Sequence, residues 1–347
     1  MSTVMKIIIR SWQKGDLASI LAQKTYTTFE GGKSLKSLPG LCLDLLSEQK
    51  KAWSELQEGY GLLDGVRERE VPCRGFSVRL QHNPGRIRSS LAVLSEKKGT
   101  DRPCFLCPDY LPEAQKGILY RRKYLILCNP MPVFPSHFTV SHLGHRLQII
   151  TEHIDIFLQL MADFGSGWTV LYNGPKCGAS APDHLHFQAA PSGWMPIEKQ
   201  IREEKRLALM TEIDGVLFCR ARDLGREVIL LEGDDPMAVE SAFKSFLDAL
   251  KKLSLIDEEP MINIAGFYEE RNLRLVIFPR RKHRPDAFFS EGDERVVVSP
   301  GVIDMGGVLI TPVEKDFERL DGPAVESIYR EVSLKGKIVE KAIDAMV

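Results

Sequence analysis

The sequence is poor in cysteine, in net charge and in long apolar runs, and each shortage removes a class of protein. Its 347 residues hold seven cysteines, at positions 42, 73, 104, 107, 128, 177 and 219. They are too few and too scattered for a disulfide scaffold, and the odd number fits a reducing compartment. The 46 Lys and Arg nearly cancel the 47 Asp and Glu, leaving a formal charge of -1. No global field for polyanions results, so a nucleic-acid partner is not expected, although a local basic cluster could still hold a small phosphate-bearing ligand. No apolar stretch approaches the roughly 18 residues needed to span a bilayer, and the apolar run near the start is too short for a secretory signal. A cytoplasmic chain without membrane association is the expectation. What remains, 44% hydrophobic and 27% charged residues, is the composition of a globular protein with one large or two medium domains.

Residues 1 to about 70 carry helical spacing, clearest at Leu43, Leu46, Trp53 and Leu56, interrupted by Pro39-Gly40 and by Gly59, Gly61 and Gly65. From Phe76 short β-type runs take over. They place Arg79, Arg86 and Arg88 around a strand end and an Asn83-Pro84-Gly85 turn, and 95–102 reads as an exposed loop. An order of elements then occurs twice at an offset of about ninety residues. The first copy has strands at 123–128 and 137–141, a helix at 147–163 with Leu147, Ile150, Ile154, Phe157 and Met161 on one face, and strands at 168–172 and 184–190. The second has strands at 215–219 and 227–231, a helix at 238–252, and strands at 261–267 and 273–278. The expected fold is α+β, a duplicated unit with a mostly antiparallel sheet. A helical N-terminal extension fills 1–75, a half carrying the chemistry 76–210, a degenerate half 211–320, and a tail 321–347.

The last strand of the first copy is unusual. Strands alternate faces with period two, so His184, His186 and Gln188 share one face while Leu185, Phe187 and Ala189 share the other. At an offset of 89 the second copy has Leu273, Leu275 and Ile277 in those three places. Ahead of the strand, a loop from Asn173 to Pro182 contains Gly178, Ala179 and Ser180, whose small side chains let backbone N–H groups approach an anion. Cys104 and Cys107, with two residues between them, could share a metal or exchange electrons. The run Arg280-Arg281-Lys282-His283-Arg284 reads as a solvated loop that could still close on phosphates. His82, His137 and His153 read as structural.

The loop and strand together resemble the active-site segment of the histidine-triad superfamily, in its transferase and phosphorylase branch. That branch includes galactose-1-phosphate uridylyltransferase, diadenosine tetraphosphate phosphorylase and GDP-hexose phosphorylase. The shared form is Asn, then Gly-x-Ser, then His-x-His-x-Gln, and the resemblance covers roughly 76–320. One more residue separates Gly178 from His186 here than in the uridylyltransferases. The resemblance implies that His186 is the nucleophile that takes a nucleoside monophosphate as a phosphoramidate, and that Gln188 contacts the transferred phosphate. By the same likeness Asn173, Gly178, Ala179 and Ser180 form the phosphate loop, and Arg79, Asn83 and Arg86 lie near the nucleotide or phosphates. A structural zinc is implied on Cys104, Cys107, His184 and a third histidine, His145 or alternatively His142.

A neutral imidazole is a competent nucleophile near pH 7, and in such a transfer positioned donors do most of the work. Glutamine donates but cannot shuttle a proton. In the hydrolase branch the third motif residue is histidine, so Gln188 implies transfer to phosphate or a sugar phosphate rather than to water. The expected function is therefore nucleotidyl transfer from a nucleotide-sugar or a dinucleoside polyphosphate. The alternatives are a non-catalytic nucleotide-binding protein and a nucleotidyl hydrolase.

Overall fold

The computed structural model describes residues 14–32, 34–91 and 103–346. The expected loop at 95–102 and the side chain of Arg88 lie outside the described residues. In chain order the strands are β1 (Thr25–Phe29), β2 (Arg67–Pro72), β3 (Ser77–His82), β4 (Gly117–Tyr120), β5 (Tyr124–Cys128), β6 (Phe138–His142) and β7 (Trp168–Asn173). They continue as β8 (His186–Pro191), β9 (Leu207–Ile213), β10 (Val216–Ala221), β11 (Ile229–Gly233), β12 (Ile262–Glu269), β13 (Asn272–Pro279) and β14 (Val308–Thr311). Among the described residues no helix is long and apolar enough to cross a membrane.

Eleven strands form one sheet in the order β1-β4-β5-β6-β8-β7-β12-β13-β11-β10-β9. Within it β4 to β8 and β9 to β13 follow the same path, with a helix between the third and fourth strand of each. These helices are Ile154–Phe164 and Pro236–Ser254. The two units meet where β7 pairs antiparallel with β12, with Asn173 opposite Asn263. One face of the sheet packs under these helices through Val140, Phe187, Ile264 and Leu275, which join Phe157, Phe243 and Phe246 in one core. The other face packs through Leu171, Ala190, Ala265, Val276 and Phe278 against a small second sheet, β14-β3-β2.

Three expectations change. The first helix starts at Ile154 rather than at 147, and Leu147 is exposed. The backbone N–H groups of Ile150 and Thr151 donate to the Glu259 carboxylate, so these donors are used outside a helix. The N-terminal segment is not wholly helical, because β1, an alternating Thr-Tyr-Thr-Thr-Phe run, adds parallel to β4 at the sheet edge. The stretch beyond 321 folds into helices Gly322–Val332 and Gly336–Asp344, with Tyr329 and Val339 fully buried in the two cores.

The fourth change concerns the second copy. Leu273, Leu275 and Ile277 lie in the helix-side core with Leu185, Phe187 and Ala189, while Val276 and Phe278 lie in the opposite core. The side chains that share the face of His186 and Gln188 are thus Val276 and Phe278. An offset of 89 is one residue out of register for this strand, and a one-residue slip exchanges the two faces.

Candidate functional site

β7 and β8 pair from Trp168–Pro191 only as far as Leu171–Gln188 and then separate. A buried side chain spans the opening. The Gln148 amide nitrogen donates to the carbonyls of Asn173 (2.9 Å) and His186 (3.0 Å), and its oxygen accepts from the His186 N–H (2.8 Å). Gln148 is itself held through its own backbone, since the Tyr172 hydroxyl lies within hydrogen-bond distance of both the Gln148 carbonyl (3.1 Å) and Glu259 (2.9 Å). This glutamine was invisible to periodicity, which absorbed it into a helix.

The chain between the separated strands forms a small-residue loop. Gly178 has φ +111°, and a Cβ there would stand 2.8 Å from the Gly301 Cα, so only glycine suits the position. The Asn173 side-chain oxygen accepts from Asn263 Nδ2 (2.8 Å) and from the Val302 N–H (2.7 Å), tying the loop to the second unit. Ala179 is buried and Ser180 is exposed.

His186 emerges beside this loop and is 2% exposed. Its Nδ1 donates to the His184 carbonyl at 2.8 Å, which fixes the tautomer and leaves the lone pair on Nε2. That Nε2 is buried and, among the described residues, has no hydrogen-bond partner. Burial, the largest cause, lowers the imidazole pKa to about 4, so the ring is neutral at pH 7. Two residues on, Gln188 Oε1 lies 2.8 Å from His137 Nε2. His137 therefore reaches the motif and is more than core filling. Its backbone N–H donates to the Tyr60 hydroxyl (3.0 Å), and its Nδ1 accepts from the Val133 N–H (3.2 Å).

On the far side of His184 the two cysteines close up with two histidines. Cys104 Sγ lies 3.3 Å from His184 Nδ1, and Cys107 Sγ lies 3.3 Å from His145 Nδ1 and 3.5 Å from His184 Nδ1. The four ligand atoms all lie within 4.8 Å of one another. The outer nitrogens are engaged as metal-ligating histidines require: His184 Nε2 reaches the His142 carbonyl (2.8 Å), and His145 Nε2 faces Asp183 (3.4 Å). The Cys104 thiol is held well below its ordinary value, first by hydrogen bonding with Cys107 and then with His145 and His184. The Asp183 carboxylate, and after it Cys104, raises His145 to about 10. His142 stands apart, its ring bonded to Gly144, so of the two alternatives it is His145 that joins the cluster.

The outlying arginines divide. Arg86 donates to the Met131 carbonyl (2.9 Å), and its charge reaches both His137 and Asp304. Arg79 points the other way from the buried Val78 and Leu80, with its guanidinium 6.0 Å from the Trp194 ring and 3.6 Å from Glu68. Asn83 is buried beside β14, donating its backbone N–H to Thr311. The run 280–284 is not a solvated loop. Arg280 is 3% exposed and donates to Asn263, Pro300, Val332, Lys282 and His283, and Arg284 donates to the Ser299 hydroxyl and the Ser90 carbonyl.

Residues 45–191 match a family described only as a domain of unknown function, DUF4922. No curated protein matches the chain in sequence. Among solved structures, yeast Ap4A phosphorylase Apa2 in complex with AMP matches with a TM-score of 0.55 at 12% identity, over 84% of this chain and 96% of its own. The same yeast enzyme in complex with Ap4A matches with a TM-score of 0.51 at 14% identity, over 81% of this chain and 96% of its own. At such identity the likeness is one of fold. The chain has the α+β fold of that yeast phosphorylase.

Proposed function

We propose that this chain is a nucleotidyltransferase of the phosphorylase kind, acting on a nucleotide-sugar or a dinucleoside polyphosphate through a covalent nucleotidyl-His186. The observation that carries the reading is His186 Nε2, a buried nitrogen whose lone pair, with Nδ1 holding the proton, finds no partner among the described residues. Buried polar atoms are rarely left so, and a neutral imidazole in this state is a nucleophile awaiting an electrophile. In the first half-reaction Nε2 attacks the α-phosphorus, a P–N bond forms, and the P–O bond to the leaving nucleoside polyphosphate or sugar phosphate breaks. The proton stays on Nδ1, donated in a hydrogen bond to the His184 carbonyl, whose oxygen stabilises the imidazolium charge. In the second, an acceptor phosphate oxygen attacks, the P–N bond breaks, and His186 returns to its neutral form. The active half in this reading is 76–210, with 211–320 as the half without chemistry.

Around the phosphorus, the Gln188 amide and the backbone of the loop at Gly178, Ala179 and Ser180 supply donors, with Asn173 fixing the loop and Arg86 adding positive charge. In this reading Arg79 and Asn83 are further candidates for contact with the nucleotide or its phosphates. Each well-placed donor is worth about 2.7–4 kcal/mol in the transition state, by analogy with an oxyanion hole. Cys104, Cys107, His145 and His184 form a donor set that fits zinc, with four N/S ligands and no open position. The metal would supply cross-linking rather than reactivity, holding His184, whose carbonyl fixes the nucleophile.

The test is incubation with a panel of nucleotide-sugars and dinucleoside polyphosphates, with and without phosphate. Release of nucleotide that accelerates when phosphate is added supports the reading. Turnover equally fast without an acceptor makes the protein a hydrolase, and no turnover on any member of the panel counts against catalysis.

A further inference from the structure

We propose that His137 is a positioning residue that sets which end of the Gln188 amide faces the transferred phosphoryl group. The inference rests on the reading of His186 as nucleophile and adds a residue to it. The argument runs through donors and acceptors that leave one solution. A backbone N–H can only donate, so the Val133 N–H, 3.2 Å from His137 Nδ1, requires that nitrogen to be an acceptor. The proton of the neutral ring therefore sits on Nε2. A protonated Nε2 can only donate, so the Gln188 atom 2.8 Å away must be the oxygen. The amide nitrogen then points away from His137 with both hydrogens, and among the described residues no protein acceptor takes them.

The ring that makes this choice is itself immobilised. His137 is 1% exposed. Its backbone N–H and carbonyl are both bonded to the Tyr60 hydroxyl, at 3.0 and 3.2 Å, and its carbonyl also accepts from the Asn129 N–H at 2.9 Å. Phe134 packs beside it, with ring centroids 5.7 Å apart. Turning the Gln188 amide over would set N–H against N–H at His137 and aim a carbonyl oxygen at an anionic phosphoryl group. His186 and His137 are accordingly in opposite tautomers, one protonated on Nδ1 and the other on Nε2. The first presents a lone pair to the phosphorus, and the second, through Gln188, presents a donor to its oxygens.

The tautomer can be read on the wild-type protein without substrate, by two-bond ¹H–¹⁵N correlation on histidine-labelled chain. His137 should be the Nε2–H form between pH 6 and 8, and an Nδ1–H form would overturn the proposal whatever the fate of the catalytic reading. The kinetic arm measures formation of the His186 adduct at saturating substrate, using the panel member that wild type turns over best. Gln188→Ala should slow it roughly 10²–10³-fold, as loss of an oxyanion-type donor does. His137→Phe, which keeps the ring and removes the donor, should slow it about 10- to 100-fold with KM little changed, and the double variant should be no slower than Gln188→Ala alone. Losses that multiply would mean that His137 does not act through Gln188. His137→Gln, which restores an N–H near the Nε2 position, should recover most of the rate, and it replaces His137→Phe in the cycle if that variant fails to fold. A wild type that forms no adduct on any panel member would sink the nucleotidyl reading while the tautomer result still decides the positioning claim.

Discussion

The two five-strand units share one strand order and differ at one connection. In the second, β12 and β13 pair without a break from Ile262–Pro279 to Glu269–Asn272, and Glu270 and Arg271, both at positive φ, close a two-residue hairpin. In the first, the matching ladder stops after four pairs, and residues 174–185 replace the hairpin. The second unit carries Val276 and Phe278 where the first carries His186 and Gln188 on the same face. It carries Val228 ahead of β11 where the first carries His137 ahead of β6. A tight hairpin satisfies its own backbone and leaves no cradle. Opening it creates backbone groups that need partners, and in the first unit Gln148 and the Gly178 loop meet that need.

The sharpest way to break the difference is to remove the splint. Gln148→Leu leaves the His186 N–H and two buried carbonyls unpaired, which should cost about 3–5 kcal/mol of stability. It should also slow adduct formation on the order of 10²-fold through misplacement of the nucleophile. Urea melts and the adduct rate check it, and a variant within about 0.5 kcal/mol of wild type would show that the strands separate without help.

Among the described residues, one group of side chains could hold a metal, and it lies on the side of the first unit. Purified protein should carry one zinc per chain by elemental analysis. Cys104→Ser should lose it and destabilise the fold by about 2–4 kcal/mol, the range expected when a structural ligand set is broken. Metal content unchanged by that substitution would remove Cys104 from the site.

The smallest effect concerns acid. Burial holds His137 at about 4, well below the ordinary imidazole value. The unfolded chain therefore takes up the proton first, so the stability tied to neutral His137 is complete above about pH 6.5 and is lost as pH falls toward 4. The loss should be roughly 2–3 kcal/mol for so buried a group. His137→Phe should flatten that part of the stability profile, and a profile as steep as wild type would place the titration elsewhere.

Much of this site was legible in the chain because its signals are local. His184, His186 and Gln188 sit at strand spacing, and Cys104 and Cys107, with two residues between them, are spaced to reach one metal. The repeat of strands around a helix was equally plain, and the sheet follows it. What escaped was set by distant partners. Gln148 reads as one polar position in an apolar helical pattern, and only Asn173, His186 and Glu259, from 25 to 111 residues away, draw it out. His137 looks like any buried histidine until Gln188 is seen against it. The burial of Arg280 depends on acceptors from β12 and from Pro300, which no spacing within 280–284 encodes. The parity of β13 was missed for another reason: the strand is apolar on both faces, so a one-residue slip in the alignment leaves its hydrophobic pattern looking the same.

In the proposed function the opened ladder frees one buried nitrogen, His186 Nε2, to act as nucleophile. Intact-mass analysis at neutral to alkaline pH, after adding a nucleotide substrate without acceptor, should show a chain heavier by one nucleoside monophosphate. Peptide mapping should place it on His186, with the adduct lost on addition of phosphate and absent from His186→Ala. An adduct that persists in His186→Ala, or maps to another residue, would contradict the account.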